Sequence, residues 1–267
     1  MDNELRIFSF GGGVQSTAVM VLAAQGKVEY DAYVFANVGN DSESPETLKY
    51  MELYMRPYAK EHNINLVEVQ RTIRGKVVTL REYAMADNRS IPILCFLSNG
   101  APGNRICTVD FKIKVIEKYA KELKVDKLIT GLGISIDEIQ RARTTEWYNT
   151  NKKMRQKREY PLIDLMMTRE DCRRVIKASG LPIPPPSSCY FCPYKRPKEW
   201  MRMRENDPEL FNKAVELDYR LREKRDNLGR DAVWLHQALK PLDEAVAKQT
   251  TMQFYETDIC ESGYCMT

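Results

Sequence analysis

The chain has 267 residues, of which 43% are hydrophobic and 29% charged, so it is long and apolar enough to bury a core. A mean hydropathy of −0.49 and the lack of a long apolar run predict a protein without membrane-spanning segments. The first residues do not have the layout of a secretory signal. We therefore expect a cytoplasmic protein.

The positive charge of the chain is concentrated in one segment. The formal net charge is +4, whereas residues 140–160 alone carry seven basic and two acidic side chains, a net of +5. Trp147, Tyr148 and Asn149 lie within this stretch, and aromatic side chains among cations suit stacking on bases between phosphate contacts. Residues 140–158 are therefore a candidate surface for a nucleic acid, tRNA or DNA, and a solvated charged loop is the alternative.

Strands and helices alternate in the first half of the chain. The predicted strands cover residues 5–10, 32–36, 66–69 and 127–130, and the predicted helices cover residues 14–25, 46–62 and 111–123. This order predicts an α/β fold with an open, mostly parallel, twisted sheet and flanking helices. Ligands of such sheets bind beyond the carboxyl ends of the strands, which here lead into residues 11–13, 37–44 and 131–137.

The last third of the chain has a different character. A helix is predicted over residues 168–179, and a rigid proline-rich spacer follows at residues 181–186. Two charged helices are predicted next, over residues 198–205 and 208–225. We therefore expect a nucleotide-binding α/β domain at residues 1–184 and a helical, cysteine-containing extension at residues 185–267.

A glycine-rich turn, Gly11-Gly12-Gly13, joins the first strand to the first helix. In such a turn backbone N–H groups can approach phosphate oxygens closely, and the helix N-terminus adds a favourable partial charge. Ser16 and Thr17 add hydroxyl donors. The lysine of a Walker A loop is missing. The turn therefore predicts phosphate binding of another kind, and a simple tight turn is the alternative.

The turn resembles the S-G-G-x-D-S loop of the PP-loop ATP pyrophosphatases and of the phosphoadenosine-phosphosulfate (PAPS) reductase-like family. Gly12, Gly13 and Ser16 match that loop, Gly11 stands where serine is frequent, and Gln15 stands where the loop has aspartate. The resemblance implies a Rossmann-like fold that binds ATP with magnesium. It also implies cofactor contacts from the loop residues, Gln15 and Thr17 included, and a catalytic role for Ser16.

Further segments extend this resemblance over residues 5–184. Asn37 holds the place of the aspartate in the family's D-T-G segment, and residues 131–138 with Arg141 are similar to its G-x-R-x-x-E-S-x-x-R stretch. In the family, basic residues of this stretch hold a phosphate or sulfate. The resemblance therefore adds Asn37, Gly131, Gly133 and Arg141 to the expected nucleotide site.

Three of the seven cysteines extend the resemblance to a metal site. Cys107 lies 82 residues before Cys189, which forms a C-x-x-C pair with Cys192. This spacing resembles that of iron–sulfur adenylylsulfate reductases, but Ile106 occupies the position of a fourth cysteine. The resemblance implies a 4Fe–4S cluster on three cysteines with one iron open, as in related tRNA thiolases and DNA phosphorothioation proteins.

Two other readings of the cysteines remain. Cys189, Cys192, Cys260 and Cys265 could instead form a structural zinc site, or the thiols could bind no metal. Cys260 or Cys265 could also supply the fourth ligand of the cluster. Cys265 is also a candidate catalytic nucleophile, because PAPS reductases use a cysteine near the C-terminus.

The sequence therefore predicts an ATP-dependent adenylylating enzyme that uses its metal centre in sulfur insertion, or a related modification, of a nucleic acid. Such an enzyme would depend on a sulfur or electron donor protein. The alternatives are a PAPS or adenylylsulfate reductase that releases sulfite, and a non-catalytic nucleotide-binding module with a structural zinc.

Overall fold

A computed structural model describes residues 3–143, 148–151 and 154–246. Its main sheet has six strands in the order β3-β2-β1-β7-β9-β8. The strands are β1 (Glu4–Ser9), β2 (Ala32–Asn37), β3 (Leu66–Gln70), β4 (Thr72–Ile73), β5 (Lys76–Val77), β6 (Phe96–Leu97), β7 (Lys127–Leu132), β8 (Tyr148–Asn151), β9 (Met154–Glu159) and β10 (Val233–Trp234). Five neighbouring strands of this sheet run parallel and only β8 is antiparallel, which confirms the predicted sheet.

The helices flank this sheet. They are α1 (Val14–Ala24), α2 (Pro45–Tyr50), α3 (Arg56–Glu61), α4 (Leu80–Met85), α5 (Ile106–Thr108), α6 (Lys114–Glu122), α7 (Pro161–Asp164), α8 (Arg169–Ala178), α9 (Pro197–Asn206), α10 (Pro208–Asp226) and α11 (Leu242–Val246). A 3₁₀ helix covers Ile136–Arg141. No helix among the described residues has the length and apolar character needed to cross a lipid bilayer.

Helices cover both faces of the sheet, and the apolar side chains of its strands are buried against them. All six residues of β2 are buried, as expected for a central strand that is covered on both sides. On one face, Phe8 and Tyr33 pack in a cluster with residues of α1 and α8. On the other face, Ile7 and Val34 pack with residues of α6. The carboxyl ends of β1, β2 and β7 therefore form one edge with helices on either side.

The predicted helix over residues 46–62 contains a wider turn in its middle. The structure has α2, a π-helical turn at Met51–Met55 and then α3. Pro57 lies in the first turn of α3 and has no N–H to donate to the preceding turn, and a wider turn accommodates this loss. A second π-helical turn, at Val109–Ile113, joins α5 to α6, so this helical region begins at Ile106 rather than at residue 111.

The C-terminal helices share a core with the loops of the α/β part. Trp200 of α9 is fully buried in a cluster that also holds Val38, Leu80 and Phe111 from earlier in the chain. Leu217 of α10 belongs to the same cluster. The division at residue 184 remains a prediction, but the packing makes the two parts depend on each other for burial of apolar surface.

This shared core predicts the effect of one substitution on the whole chain. Trp200→Ala should lower the free energy of unfolding by about 3–5 kcal/mol, because it leaves a large cavity. Unfolding in urea, followed by circular dichroism and by fluorescence, should remain a single transition at a lower midpoint. Leu53→Ala, at a side chain that is 54% exposed, is the matched control and should change little. Two separate transitions would contradict the shared core.

Candidate active site

The glycine turn is tightly enclosed where it leaves β1. Gly12 has a φ of +72°, a conformation that favours glycine, and a side chain there would come within 3.2 Å of Thr47. The N–H of Gly13 donates to Oγ of Ser16 at 3.0 Å, and this hydroxyl donates to the Gly13 carbonyl oxygen, also at 3.0 Å. Thr17 is fully buried behind the turn. The turn is thus preformed at the N-terminus of α1.

Gln15 belongs to a buried polar network beneath the turn. Its side-chain Nε2 donates to Oε2 of Glu138 at 3.2 Å and approaches Oγ of Ser135 at 3.5 Å. Glu138 is paired with Arg141 at 2.6 Å, and both side chains are under 10% exposed. Burial raises the pKa of Glu138, and the guanidinium of Arg141 opposes this shift. The network ties α1 to the 3₁₀ helix.

The other residues expected at the nucleotide site lie in different surroundings from one another. A side chain at Gly133 would lie 3.3 Å from Cβ of Gln15, so Gly133 packs directly against the first turn of α1. A side chain at Gly131 would clash with the hydroxyl and ring of Tyr30, so Gly131 packs directly against this aromatic side chain. The Asn37 amide nitrogen donates to Asn40 at 2.9 Å and to Glu68 at 2.7 Å. Direct contact of Asn37 and Gly131 with a nucleotide therefore stays a prediction.

The three cysteines expected at the metal site line one cavity, which we call the cysteine cavity. Cys107 comes from α5, and Cys189 and Cys192 come from a tight turn in which the N–H of Cys192 donates to the Cys189 carbonyl at 3.1 Å. Arg105 and Lys112 also line the cavity. None of the described cysteines is in a disulfide. The fold therefore brings together thiols that are 82 residues apart in the sequence.

Burial has the largest effect on the pKa of Cys189, one of the thiols that line the cysteine cavity. Burial raises the pKa of the Cys189 thiol well above its ordinary value, Glu43 raises it further, and Lys112 lowers it. Metal binding requires thiolates, so a metal would have to displace the protons of these thiols. Arg105 and Lys112 supply positive charge that offsets the negative charge of thiolates.

The side chains around the cysteine cavity include three thiols, which are ligands of the kind that hold iron or zinc, with two basic groups beside them. Within the described residues, no group of three or more His, Cys, Asp or Glu side chains is arranged to hold a metal ion. An iron–sulfur cluster takes each thiolate on a different iron, so its ligands stand farther apart than those of one ion. The cluster expected on Cys107, Cys189 and Cys192 therefore stays a prediction.

The C-x-x-C turn is bonded to the edge of the sheet that carries the glycine turn. The hydroxyl of Ser187 donates to the carbonyl oxygen of Gly11. The N–H of Ser44 donates to Ser188 at 3.1 Å, and the N–H of Tyr190 donates to Ser42 at 3.1 Å. These bonds pair the turn with the loop that follows β2. The cysteine cavity and the glycine turn are therefore neighbours, held together by hydrogen bonds of residues 187–190.

A second cavity, which we call the polar cavity, lies beside the first and has a volume of about 170 Å³. Thr108 and Lys112 line both cavities. The polar cavity also has two arginines of the basic segment, Arg143 and Arg158, together with Ser9 at the end of β1. The basic segment therefore contributes to a concave surface beside the thiols. Arg141, by contrast, is buried in its pair with Glu138.

Some of these residues were not expected from the sequence. Ser187 and Glu43 carry no local motif, and only the fold brings Glu43 opposite Cys189. Because Glu43 is buried, the pKa of its carboxyl is raised above its ordinary value. Cys95 and Cys172 are buried, Cys95 within an apolar run and Cys172 on the buried face of α8. Trp147, Lys152, Lys153, Cys260 and Cys265 lie outside the described residues, so the zinc alternative and the role of Cys265 stay predictions.

Comparison with known proteins adds a distant structural likeness. No protein-family model matches the chain, and no curated protein matches it. One similar solved structure is the U34-tRNA thiolase NcsA from Methanococcus maripaludis with its [4Fe-4S] cluster, at 11% sequence identity and a TM-score of 0.41. The match covers 96% of this chain and 85% of that one. A likeness this low assigns no role to any residue of this chain.

The buried network predicts that aspartate at position 15 would lower the stability of the fold. In Gln15→Asp two carboxylates would face each other in a buried place, and we expect the free energy of unfolding to fall by about 1–3 kcal/mol. The double variant Gln15→Asp, Glu138→Gln removes the repulsion but also the carboxylate that pairs with Arg141, so it should recover only part of this loss. Thermal and urea unfolding at pH 7 measure both.

Gln15→Asn is the matched control, because asparagine has the shape of aspartate without its charge. It separates the cost of the shorter side chain from the cost of the charge. Equal stability of the Gln15→Asp and Gln15→Asn variants would contradict the electrostatic explanation.

Proposed function

We propose that this chain is a PP-loop enzyme that activates an oxygen of a nucleic acid, tRNA or DNA, by adenylylation and replaces it with sulfur. The observation that supports this most is the arrangement of three features at one sheet edge. The glycine turn is bonded through Ser187 to the segment that carries Cys189, and the polar cavity shares Lys112 with the cysteine cavity. A nucleotide, a sulfur-handling centre and an acceptor would then lie side by side.

The glycine turn is the proposed site of ATP. Its phosphates would lie at the N-terminus of α1, where backbone N–H groups and the helix dipole favour anions. Ser16 would exchange its bond to the Gly13 carbonyl for a phosphate oxygen. Position 15 offers an amide rather than a carboxylate, so magnesium would be held mainly by the phosphate oxygens themselves.

The reaction has two balanced steps. In the first, the acceptor's carbonyl oxygen attacks the α-phosphorus of ATP, the bond to the β-phosphate breaks, and pyrophosphate leaves. In the second, a hydrosulfide from a sulfur donor attacks the activated carbon, loses its proton, and expels AMP with the original oxygen. An iron–sulfur centre on Cys107, Cys189 and Cys192 would supply an open iron to which sulfide can bind. These thiols must stay reduced, as they do in the cytoplasm.

The residues around the polar cavity would hold the acceptor. Arg143 and Arg158 would bind a phosphate of the nucleic acid, which is the usual partner of arginine in such contacts. Lys112 and Thr108, in the wall common to both cavities, would face the reacting base. The cation of Lys112 would stabilise negative charge on the oxygen that leaves with AMP.

The proposal is tested by measuring the release of AMP and pyrophosphate from ATP. The anaerobically purified full chain should release pyrophosphate from ATP when a nucleic acid acceptor is present, and AMP only when a sulfide source is added as well. Iron and sulfide analysis of the same protein should give a cluster. Cys107→Ser should reduce sulfur incorporation at least 100-fold and lose iron, because a ligand is removed.

Cys172→Ala is the matched control, since it removes a buried thiol that lies in another core cluster. It should keep both iron and activity. Release of sulfite from PAPS or adenylylsulfate, with no AMP-forming activity on tRNA or DNA, would contradict the proposal and favour the reductase.

A further inference from the structure

We propose that Glu117 selects the base that enters the polar cavity, and that this base carries an N–H beside its carbonyl and is unpaired when it binds. Uracil, thymine and guanine have such an N–H, whereas cytosine has a bare ring nitrogen in its place. The inference deepens the proposed function, on which it rests for the kind of ligand, a nucleic acid. It assigns a role to a side chain that stands outside the motifs of the sequence.

The polar cavity lies between the main sheet and the helical region that precedes β7. Residues of β1, β7 and β9 line it on one side, and residues of the second π-helical turn and of α6 line it on the other. Because β7 runs parallel to β1 and α6 leads to the start of β7, α6 runs from the carboxyl edge of the sheet towards its amino edge. The position of a residue along α6 therefore indicates how far into the cavity it lies.

The two ends of the cavity differ in charge. Lys112 and Arg158 lie towards the carboxyl edge of the sheet, and Arg143 is exposed, so this end reaches the surface. Glu117 follows Lys112 by five residues, about 7 Å farther along the helical region. Gln156 precedes Arg158 by two residues on the same face of β9, again about 7 Å from the carboxyl edge side. The cations are thus at the mouth, and the carboxylate is farther in.

The carboxylate of Glu117 is positioned by its neighbour on the sheet. Nε2 of Gln156 donates to Oε1 of Glu117 at 3.1 Å, and Gln156 is only 4% exposed. An ionised carboxylate offers about four acceptor positions and no donor, so this bond leaves it able to accept from a ligand. A base with an N–H can donate to Glu117, whereas the ring nitrogen of cytosine would face it as a second acceptor. Two facing acceptors without a proton between them disfavour binding of cytosine.

The N–H that Glu117 would read is accessible only in an unpaired base. In uracil, thymine and guanine this N–H lies on the Watson–Crick edge, which pairing occupies in a duplex. Ile113, Ile116 and Leu132 line the cavity and offer apolar walls to the faces of a base. The volume of about 170 Å³ suits one base drawn out of its stack. Sulfur insertion needs a carbonyl as well, and in these three bases one lies directly beside the N–H.

The experiment measures how tightly the full chain binds labelled single-stranded RNA, by fluorescence anisotropy at one fixed salt concentration. The probes are short homopolymers of uridine, of 3-methyluridine and of cytidine. The uridine strand should bind at least tenfold more tightly than the other two. In 3-methyluridine a methyl group replaces the proton of the N–H, so this probe tests that one position. The uridine strand held in a duplex with oligoadenosine should lose the same factor.

Variants assign the preference to the side chain. Glu117→Gln should reduce the preference for uridine over cytidine to less than threefold, because an amide can turn either its oxygen or its nitrogen to the base. Glu122→Gln is the matched control, since it makes the same change on the same helix at a side chain that is 64% exposed and outside the cavity lining. It should keep the full preference. Arg158→Gln, at the mouth, should weaken binding of both strands alike.

Equal binding of uridine and 3-methyluridine strands by the wild type would overturn the inference, and this comparison needs no variant to fold. An unchanged preference in folded Glu117→Gln would overturn it as well. The proposed function is judged separately, by AMP and pyrophosphate. Release of both in the absence of any base preference in binding would overturn this inference alone. A base preference that Glu117→Gln abolishes, with no AMP-forming activity, would support the inference and overturn the proposed reaction.

Discussion

The short antiparallel contact between residues 42–44 and 188–190 is the constraint on which the site depends. Two backbone hydrogen bonds form it, and the hydroxyl of Ser187 extends it to Gly11. Backbone pairing is directional, so it fixes both the position and the face of the side chains that follow. The C-x-x-C turn therefore cannot move independently of the glycine turn. The proline-rich segment before it delivers the chain to this place in an extended form.

Acidic and basic groups lie close together at the cysteine cavity. Without a metal, burial favours the neutral thiol of Cys189 and the neutral carboxyl of Glu43, since low dielectric disfavours their charged forms. Lys112 and Arg105 meanwhile bring positive charge to the cavity wall. In the proposed function a bound metal would keep the thiols as thiolates, and the two basic side chains would offset their negative charge.

Local sequence patterns predicted those elements whose structure depends on interactions between residues a few positions apart. The strands, the glycine turn and α8 were predictable, because apolar runs, glycines and the Thr168 cap act over a few residues. The cysteines could be grouped only through a family resemblance. The contacts of Gln15 with Glu138 and of Glu43 with Cys189 join residues more than 100 positions apart, and neither leaves a periodic or spacing signal. Such contacts follow from how strands and loops assemble.

Gln15 shows how a departure from a motif can be compensated in space. The loop that it resembles has a carboxylate at this position, whereas here a carboxylate comes from Glu138, 3.2 Å from the Gln15 amide. Arg141 pairs with that carboxylate, so the charge is neutralised within the protein. The glycine turn thus has a neutralised polar network beneath it rather than an unneutralised carboxylate. At the proposed phosphate site this would lower the dependence on magnesium, because less repulsion of the phosphates would have to be screened.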